Sequence, residues 1–268
     1  MLLSLILSIL ISTVFSVQQQ TEIKLQQEIK INAENFTVDP LGYLYLINGT
    51  ELKKIELKTN KERNFSTILS GEIYSVDVSD PFRTLLFYKD FNRIEWLDKN
   101  LSSIVSSISL DDLGYYQVAA VCQSVNGGFW LFDQSLHQIV YIDKNLKTVN
   151  KSAQLSEMID QNSDTYQVYM LEKNDYIYLG INSKEILLFD SYGTYIKTFP
   201  LNYKEKFQVN NGTIIYYNGE SLNFYNTSSY TEEKITLQEQ NTEQVIFENK
   251  RIFIQTKEKI TIYQPINF

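Results

Sequence analysis

Phe36-Thr37-Val38, followed by the turn Asp39-Pro40-Leu41-Gly42, decides how this 268-residue chain folds. The triplet of an aromatic residue, a polar residue and a valine recurs along the sequence. Its further copies are Tyr74-Ser75-Val76, Tyr116-Gln117-Val118, Tyr166-Gln167-Val168, Phe207-Gln208-Val209 and a degenerate sixth, Glu243-Gln244-Val245. The valines are spaced by about 36 to 50 residues, a period typical of arrays in which each repeat is one supersecondary unit.

Each triplet opens a series of strand-like segments. In the first repeat, Tyr43-Leu44-Tyr45-Leu46 is followed by the hairpin signal Asn48-Gly49 and by an alternating segment over residues 52–57. A short fourth strand follows a turn, for example Ser103-Ile104-Val105 in the second repeat. Four antiparallel strands form the blade of a β-propeller, so six repeats predict an all-β, six-bladed propeller. A parallel β-helix is the competing interpretation, but its repeats are shorter and lack these four-strand units.

The two ends of the repeat array predict how the ring closes. The sixth repeat contains three strand-like segments, one fewer than a blade needs. A spare strand-like segment, Glu22 to Ile31, precedes the first repeat and can supply the missing strand. Such closure removes exposed sheet edges. Residues 17–268 are therefore expected to form a single propeller domain, with blades that start near residues 36, 74, 116, 166, 207 and 243.

Residues 1–16 form an uncharged apolar run that turns polar at Gln18-Gln19-Gln20. This pattern predicts a secretory signal peptide, although no Lys or Arg precedes the apolar core. A membrane anchor is the alternative, but the run is shorter than the roughly 20 residues that a spanning helix needs. We therefore expect an exported protein, periplasmic or secreted, without an integral membrane segment after signal cleavage.

The charge and the cysteine content exclude two further classes of protein. The net charge is −8 and no basic stripe is present, so we expect no nucleic-acid partner. Cys122 is the single cysteine and lies in a run of small apolar residues. The sequence therefore predicts a buried structural thiol and no internal disulfide.

Three segments resemble the repeats of NHL-type propellers: Val38 to Tyr45, Asn92 to Asp98 and His137 to Asp143. The resemblance covers the chain after residue 16 as architecture, and about half of the blades at the level of the motif. It implies an interaction platform, because most such propellers bind partners. A minority of related six-bladed rings are enzymes.

In a propeller, the first strand of each blade lines a central channel. The loops between blades and between second and third strands gather on one face, which is the usual binding face. The candidate binding residues in the channel and on this face are Asp90, Arg93, Asp111, Asp112, Tyr116, Gln117, Asp133, His137, Gln167 and Gln208. The valine of each triplet should pack between blades, and the aromatic residue should stabilise the start of each blade.

The middle residues of the triplets should face the channel, and they are Thr37, Ser75, Gln117, Gln167, Gln208 and Gln244. Six-bladed lactonase-type enzymes hold a metal ion there with Glu, Asn and Asp, whereas this column is uncharged. It suits hydrogen bonding to a sugar or peptide, or bonding among the side chains themselves and to water.

No nucleophile elbow or phosphate-binding loop occurs in the sequence. His137 is the only histidine and, without cysteine partners, cannot build a zinc site of the usual kind. Asp111 and Asp112 could contribute to a calcium site, but the spacing of a calcium loop is missing. The sequence therefore favours a protein that is not an enzyme, with no catalytic residues, no metal and no cofactor.

The favoured hypothesis is an exported, non-catalytic propeller that binds a protein or peptide partner as a scaffold in the cell envelope. The alternative is a hydrolase or lyase that acts on a sugar or lactone in the channel. A third possibility is a carbohydrate-binding module that uses exposed Tyr and Trp side chains. The long connection over residues 155–164 is a candidate binding loop or a tolerated insertion.

Overall fold

The computed structural model describes residues 22–159 and 167–266. Within these ranges 24 strands form six four-stranded antiparallel sheets, arranged as the blades of a ring. The predicted all-β, six-bladed propeller is therefore confirmed. The predicted signal peptide lies outside the described residues, as does Tyr166 of the fourth triplet. The described part of the chain contains no helix that is long and apolar enough to cross a membrane.

In the first five blades each strand pairs with the next one along the chain. Blade 1 consists of β2 (Asn35–Val38), β3 (Leu44–Asn48), β4 (Glu51–Glu56) and β5 (Lys61–Ser66). Blade 2 consists of β6 (Ser75–Asp80), β7 (Arg83–Tyr88), β8 (Arg93–Asp98) and β9 (Ile108–Ser109). Blade 3 consists of β10 (Val118–Gln123), β11 (Gly128–Asp133), β12 (Gln138–Asp143) and β13 (Thr148–Lys151). Blade 4 consists of β14 (Val168–Lys173), β15 (Tyr176–Ile181), β16 (Glu185–Asp190) and β17 (Tyr195–Phe199). Blade 5 consists of β18 (Phe207–Asn210), β19 (Thr213–Tyr217), β20 (Ser221–Asn226) and β21 (Glu232–Thr236).

Blade 6 joins the two ends of the array. It consists of β22 (Gln244–Glu248), β23 (Arg251–Gln255), β24 (Lys259–Pro265) and β1 (Ile23–Lys30). β1 pairs antiparallel with β24 along its whole length, with one bulge between Leu25 and Gln27. The N-terminal strand therefore closes the ring, as the sequence predicted.

Six apolar clusters hold the ring together, and each is shared by two adjacent blades. In one of them, Val38 of blade 1 packs with Ile246 and Phe253 of blade 6. The triplet valines at positions 38, 118, 168 and 209 are buried in these clusters, as predicted, whereas those at 76 and 245 are half-buried. The burial of the aromatic residue of the triplet differs between blades: Phe36 and Phe207 are buried, whereas Tyr74 and Tyr116 are exposed.

A second repeated feature lies in the loops that connect one blade to the next. Each loop places one residue with a large apolar side chain at the interface that it crosses. The backbone N–H of this residue donates to a carbonyl in the turn between the second and third strands of the preceding blade, over 2.8 to 3.4 Å. The six pairs are Ile31 to Glu258, Ile73 to Gly49, Leu110 to Asn92, Leu155 to His137, Tyr203 to Ser183 and Leu237 to Glu220. These contacts fix the loops on the face where the innermost strands begin, called the front face below; the opposite face is the rear face.

The fourth strand of blade 2 lies later in the chain than the sequence predicted. Ser103 makes only an isolated bridge to Leu97, and the paired strand lies later, at β9. The reason is the turn after β8, where Asp98 Oδ1 accepts the backbone N–H groups of Asn100 and Ser102, both at 2.8 Å. This turn brings the chain back for a single bridge before it departs from the sheet.

Candidate binding site in the channel and on the front face

The innermost strands of all six blades line a central cavity of about 340 Å³. Five of the six middle residues of the triplets lie in its wall: Thr37, Ser75, Gln167, Gln208 and Gln244. Gln117 is the exception, because it is exposed on the front face and does not line the cavity. The predicted channel column is therefore correct for five blades.

Two of the column glutamines connect the innermost strands of neighbouring blades. Gln208 Nε2 donates to the carbonyl of Phe247 at 3.1 Å, and the N–H of Phe247 donates to Gln208 Oε1 at 2.8 Å. Gln244 makes the same pair of bonds with Phe36, at 3.1 and 3.4 Å. These two amides thus bond to backbone, and bonding among the column side chains, one of the alternatives drawn from the sequence, does not describe them.

Carboxylates make the corresponding bonds around blade 3. Asp77 of blade 2 accepts the backbone N–H of Gln123 at 2.9 Å and its side-chain amide at 3.2 Å. Glu172 of blade 4 accepts Trp130 Nε1–H at 2.8 Å and the N–H of Val125 at 3.2 Å. Burial raises the pKa of Glu172, although these donors oppose the shift.

The channel is not uncharged, which the triplet column alone did not reveal. Six charged side chains contribute to its wall: Asp77, Glu172, Lys173, Glu205, Lys206 and Glu248. Asp77 lies two residues after Ser75 on the same strand. The period-2 alternation of a strand therefore predicts that Asp77 faces the channel as Ser75 does. Lys206 and Glu205 precede β18 in a loop, where no such period applies.

Of the ten candidate residues, Gln167 and Gln208 line the cavity. Asp90, Asp111, Asp112, Tyr116 and Gln117 are exposed in front-face loops of blades 2 and 3. Asn92 joins two of these loops. Its Nδ2 donates to Asp111 Oδ1 at 2.6 Å and to the carbonyl of Tyr115 at 2.5 Å.

Three other candidates have structural contacts that account for their positions. Arg93 Nε donates to Ser107 Oγ at 3.2 Å, within its own blade. Asp133 is buried, and its Oδ1 accepts the N–H groups of Ser135 and Leu136 in a tight turn. His137 has a left-handed φ of 49° and supplies the carbonyl that accepts the N–H of Leu155. Its place in the turn matches that of Asn92, which also has a φ of 49°.

The exposed large apolar side chains of the described front-face loops all lie in the turns of blades 2 and 3 or in the connections that precede and follow these two blades. We call them the apolar arc: Ile68, Leu69, Tyr74, Phe91, Tyr116, Leu136 and Met158. The first two are both 85% exposed. On the rear face, exposed apolar residues are instead spread over turns of five blades: Leu41, Phe82, Val125, Leu146, Tyr192 and Tyr230.

The loops of the apolar arc contact one another. The ring of Phe91 covers Gly71, where an added Cβ would come within 2.5 Å of it. Lys89 Nζ lies 4.7 Å from the centre of the Tyr74 ring, a cation–π contact. The same loops carry five exposed carboxylates, called the acidic border of the arc below: Glu72, Asp90, Asp111, Asp112 and Glu157. The arc is therefore an apolar surface with an acidic border.

The tryptophans, the cysteine and the arrangement of possible metal ligands bear on which kinds of site the molecule can form. Both tryptophans, Trp96 and Trp130, are buried, so the hypothesis of a carbohydrate site with exposed Trp is wrong in that respect. Cys122 is fully buried and free, as predicted, and burial raises its pKa. Among residues 22–159 and 167–266, no three His, Cys, Asp or Glu side chains come together in a way that could hold a metal ion.

Neither a protein-family model nor a curated protein matches the sequence. Solved propeller structures do match it. Virginiamycin B lyase from Staphylococcus aureus is 13% identical, with a TM-score of 0.61 over 91% of this chain and 100% of that chain. The Pan2 WD40 domain from Neurospora crassa is 10% identical, with a TM-score of 0.60 over 93% and 97%. BamB from Moraxella catarrhalis is 11% identical, with a TM-score of 0.56 over 92% and 99%. At such identities the similarity shows the fold alone.

Proposed function

We propose that this chain is a non-catalytic propeller scaffold that binds a protein or peptide partner on the apolar arc. The observation that carries the proposal is the confinement of seven exposed apolar side chains to one sector of the front face. Single exposed apolar residues are normal on soluble proteins, but a group of them within contacting loops marks an interaction surface. Tyr and Phe, which the arc contains, are also enriched in the cores of protein interfaces.

The acidic border of the arc defines the chemistry of the partner. Five exposed carboxylates lie in its loops, and Lys89, a cation in the same loops, is engaged with Tyr74. Complementary charge steers association and suppresses wrong partners. The partner segment that fits combines apolar side chains with Lys or Arg.

Selection of peptides from a random display library against the immobilised full chain tests this proposal. We expect enriched peptides that carry Lys or Arg together with Leu or aromatic residues. Their binding should be lost when Tyr116 and Leu69 are replaced, and retained by Tyr192→Ala on the rear face. A selection that yields no binders, or binders indifferent to the arc substitutions, would contradict it.

We also propose that the protein is exported to the cell envelope after cleavage near Ser16, and that its blades are NHL-like. The apolar run over residues 1–16 and the three motif segments support these two points. Fractionation of the host followed by N-terminal sequencing tests the export. A cytoplasmic protein that retains Met1 would contradict it.

A hydrolase or lyase acting in the channel is the second candidate, favoured by the cavity of about 340 Å³ at the ring centre. One structural neighbour with this ring architecture is a lyase. The only histidine of this chain, His137, does not line the cavity. Incubation with lactones and oligosaccharides, followed by mass spectrometry, would support this candidate if product formed and disappeared on Asp77→Asn substitution.

A further inference from the structure

The front mouth of the channel carries the ammonium group of Lys206, which makes one long hydrogen bond to another blade. Lys206 immediately precedes β18 and lines the cavity. Its Nζ lies 3.5 Å from Oδ1 of Asn35. Lys206 belongs to blade 5 and Asn35 to blade 1, and blade 6 lies between these two blades. The side chain therefore extends across the mouth of the channel and does not lie against the adjacent blade.

The backbone that carries Lys206 is anchored on both sides. The N–H of Lys206 donates to the carbonyl of Lys204 at 2.8 Å, which closes a three-residue turn around Glu205, whose φ is 64°. The N–H of Lys204 donates to the carbonyl of Tyr217 at 2.6 Å. The Nζ of Lys204 donates to the carbonyl of Thr242, in the loop that leads to blade 6, at 2.7 Å. Lys206 is thus held at the mouth by contacts to two blades.

No carboxylate lies within ion-pair distance of Lys206 among the residues described. Glu205, its neighbour in the chain, exerts a longer-range attraction. The other channel carboxylates interact elsewhere: Asp77 and Glu172 bond to blade 3, and Glu248 is attracted to Lys173 and Arg251. Burial in the channel lowers the pKa of Lys206, because the ammonium loses water without gaining a close counter-charge. An anion bound beside Lys206 would supply that charge.

Other groups in the cavity wall complement an anion with an apolar body. Thr37, Ser75 and Tyr169, each of which carries a hydroxyl, line the same cavity. Burial raises the pKa of Tyr169, so its hydroxyl stays protonated and able to donate. Apolar parts of the wall come from Val38, Val168 and Phe207. A few polar groups on an apolar wall are typical of small-molecule sites.

We propose that the front half of the channel binds a carboxylate on Lys206. The carboxylate belongs either to a small organic acid or to the C-terminus of a peptide. Charge-assisted hydrogen bonds from an ammonium to a carboxylate are among the stronger ones in proteins. Lys206 and the other groups named here lie outside the apolar arc, which meets the cavity wall at Tyr74. Substitutions at Lys206 therefore test this site separately from the proposed function.

Calorimetric titration of the full chain with two sets of probes tests the site. The first set is acetate, succinate and benzoate against acetamide, succinamide and benzamide. The second is the peptide Ala-Ala-Phe with a free C-terminus against the same peptide with a C-terminal amide. We expect at least one acid to bind with a Kd at or below about 1 mM, and its amide not to bind.

The variants Lys206→Met and Lys206→Gln should each weaken binding about tenfold or more, while Lys144→Met, in an exposed rear-face turn of blade 3, should leave it unchanged. Binding of small acids assigns the site to a free metabolite, and binding of the peptide acid alone assigns it to a C-terminus. Absence of binding by every acid, or equal binding by the Lys206 variants with unchanged circular dichroism, would overturn the proposal.

Discussion

The middle residue of the triplet has different roles in different blades. In blades 5 and 6 it is a glutamine whose amide bonds both backbone groups of one residue in the next blade. In blade 3 the equivalent Gln117 is exposed on the front face. An amide is needed where both a donor and an acceptor must be satisfied, since a carboxylate only accepts.

Substitution Gln208→Glu should therefore cost about 1–3 kcal/mol of unfolding free energy, because the carbonyl of Phe247 loses its donor. The matched change Gln117→Glu should stay within about 0.5 kcal/mol. Urea unfolding at neutral pH measures both. Equal effects of the two changes would show that the amide bridge does not stabilise the ring.

The burial of the Glu172 carboxyl should make the unfolding free energy depend on pH. Its pKa is raised by burial from the ordinary value of 4.5, so its ionisation disfavours the folded state as pH rises from that value to the raised one. Below this window the carboxyl is protonated in both states and the penalty is absent. The stability of Glu172→Gln relative to wild type should therefore increase with pH across the window.

Urea unfolding of both proteins between about pH 4 and about pH 8 gives this trend. A relative stability that falls with pH would mean that the donors from Trp130 and Val125 outweigh burial and lower the pKa.

At the scale of the element, the loops between blades are as regular as the strands. Each inserts an apolar residue into the interface that it crosses and bonds to the preceding blade. This repeat escaped detection in the sequence because its distance to the triplet valine varies, from three residues at Ile73 to thirteen at Leu155. Strand period and turn chemistry constrain local spacing, whereas a loop can vary in length without moving its ends.

The substitution Leu110→Ala should destabilise the protein by about 2–5 kcal/mol, because a fully buried side chain leaves a cavity between blades 2 and 3. Leu136→Ala, in an adjacent front-face turn, removes a leucine that is partly exposed and should cost far less. Denaturant unfolding compares the two. Similar costs would argue that the loop residues do not hold the interfaces.

The closing strand β1 is the second element with a testable role. As the outermost strand of blade 6 it presents charged side chains, including Lys24 and Glu28, which guard a sheet edge. A variant that begins at Ala33 would expose β24, whose centre is apolar. We expect this variant to form dimers or larger species in size-exclusion chromatography with light scattering. A monomeric truncated variant of unchanged stability would contradict closure by β1.

At the scale of the whole molecule, ring closure was predictable because it follows from local signals. Asn48-Gly49 and Asp39-Pro40-Leu41-Gly42 are strong turn signals, and the incomplete sixth repeat required a strand from elsewhere. The candidate site was predictable only in part. Asp111 and Tyr116 lie on the front face, where the sequence placed them, but the partnership of Glu172 with Trp130 depends on which blades meet around the ring. The apolar arc depends on loop residues such as Ile68 and Leu69, which no repeat position marks.

The central claim is that the front-face arc, and not the rear face, binds the partner. Tyr116 in the arc and Tyr192 on the rear face are both 72% exposed, so they form a matched pair. The direct measurement is the Kd, by calorimetry, of a peptide selected on the wild-type chain for each single alanine variant. We predict a Kd weakened about tenfold, or about 1.4 kcal/mol, for Tyr116→Ala and an unchanged Kd for Tyr192→Ala. Equal Kd values for the two variants would contradict the account.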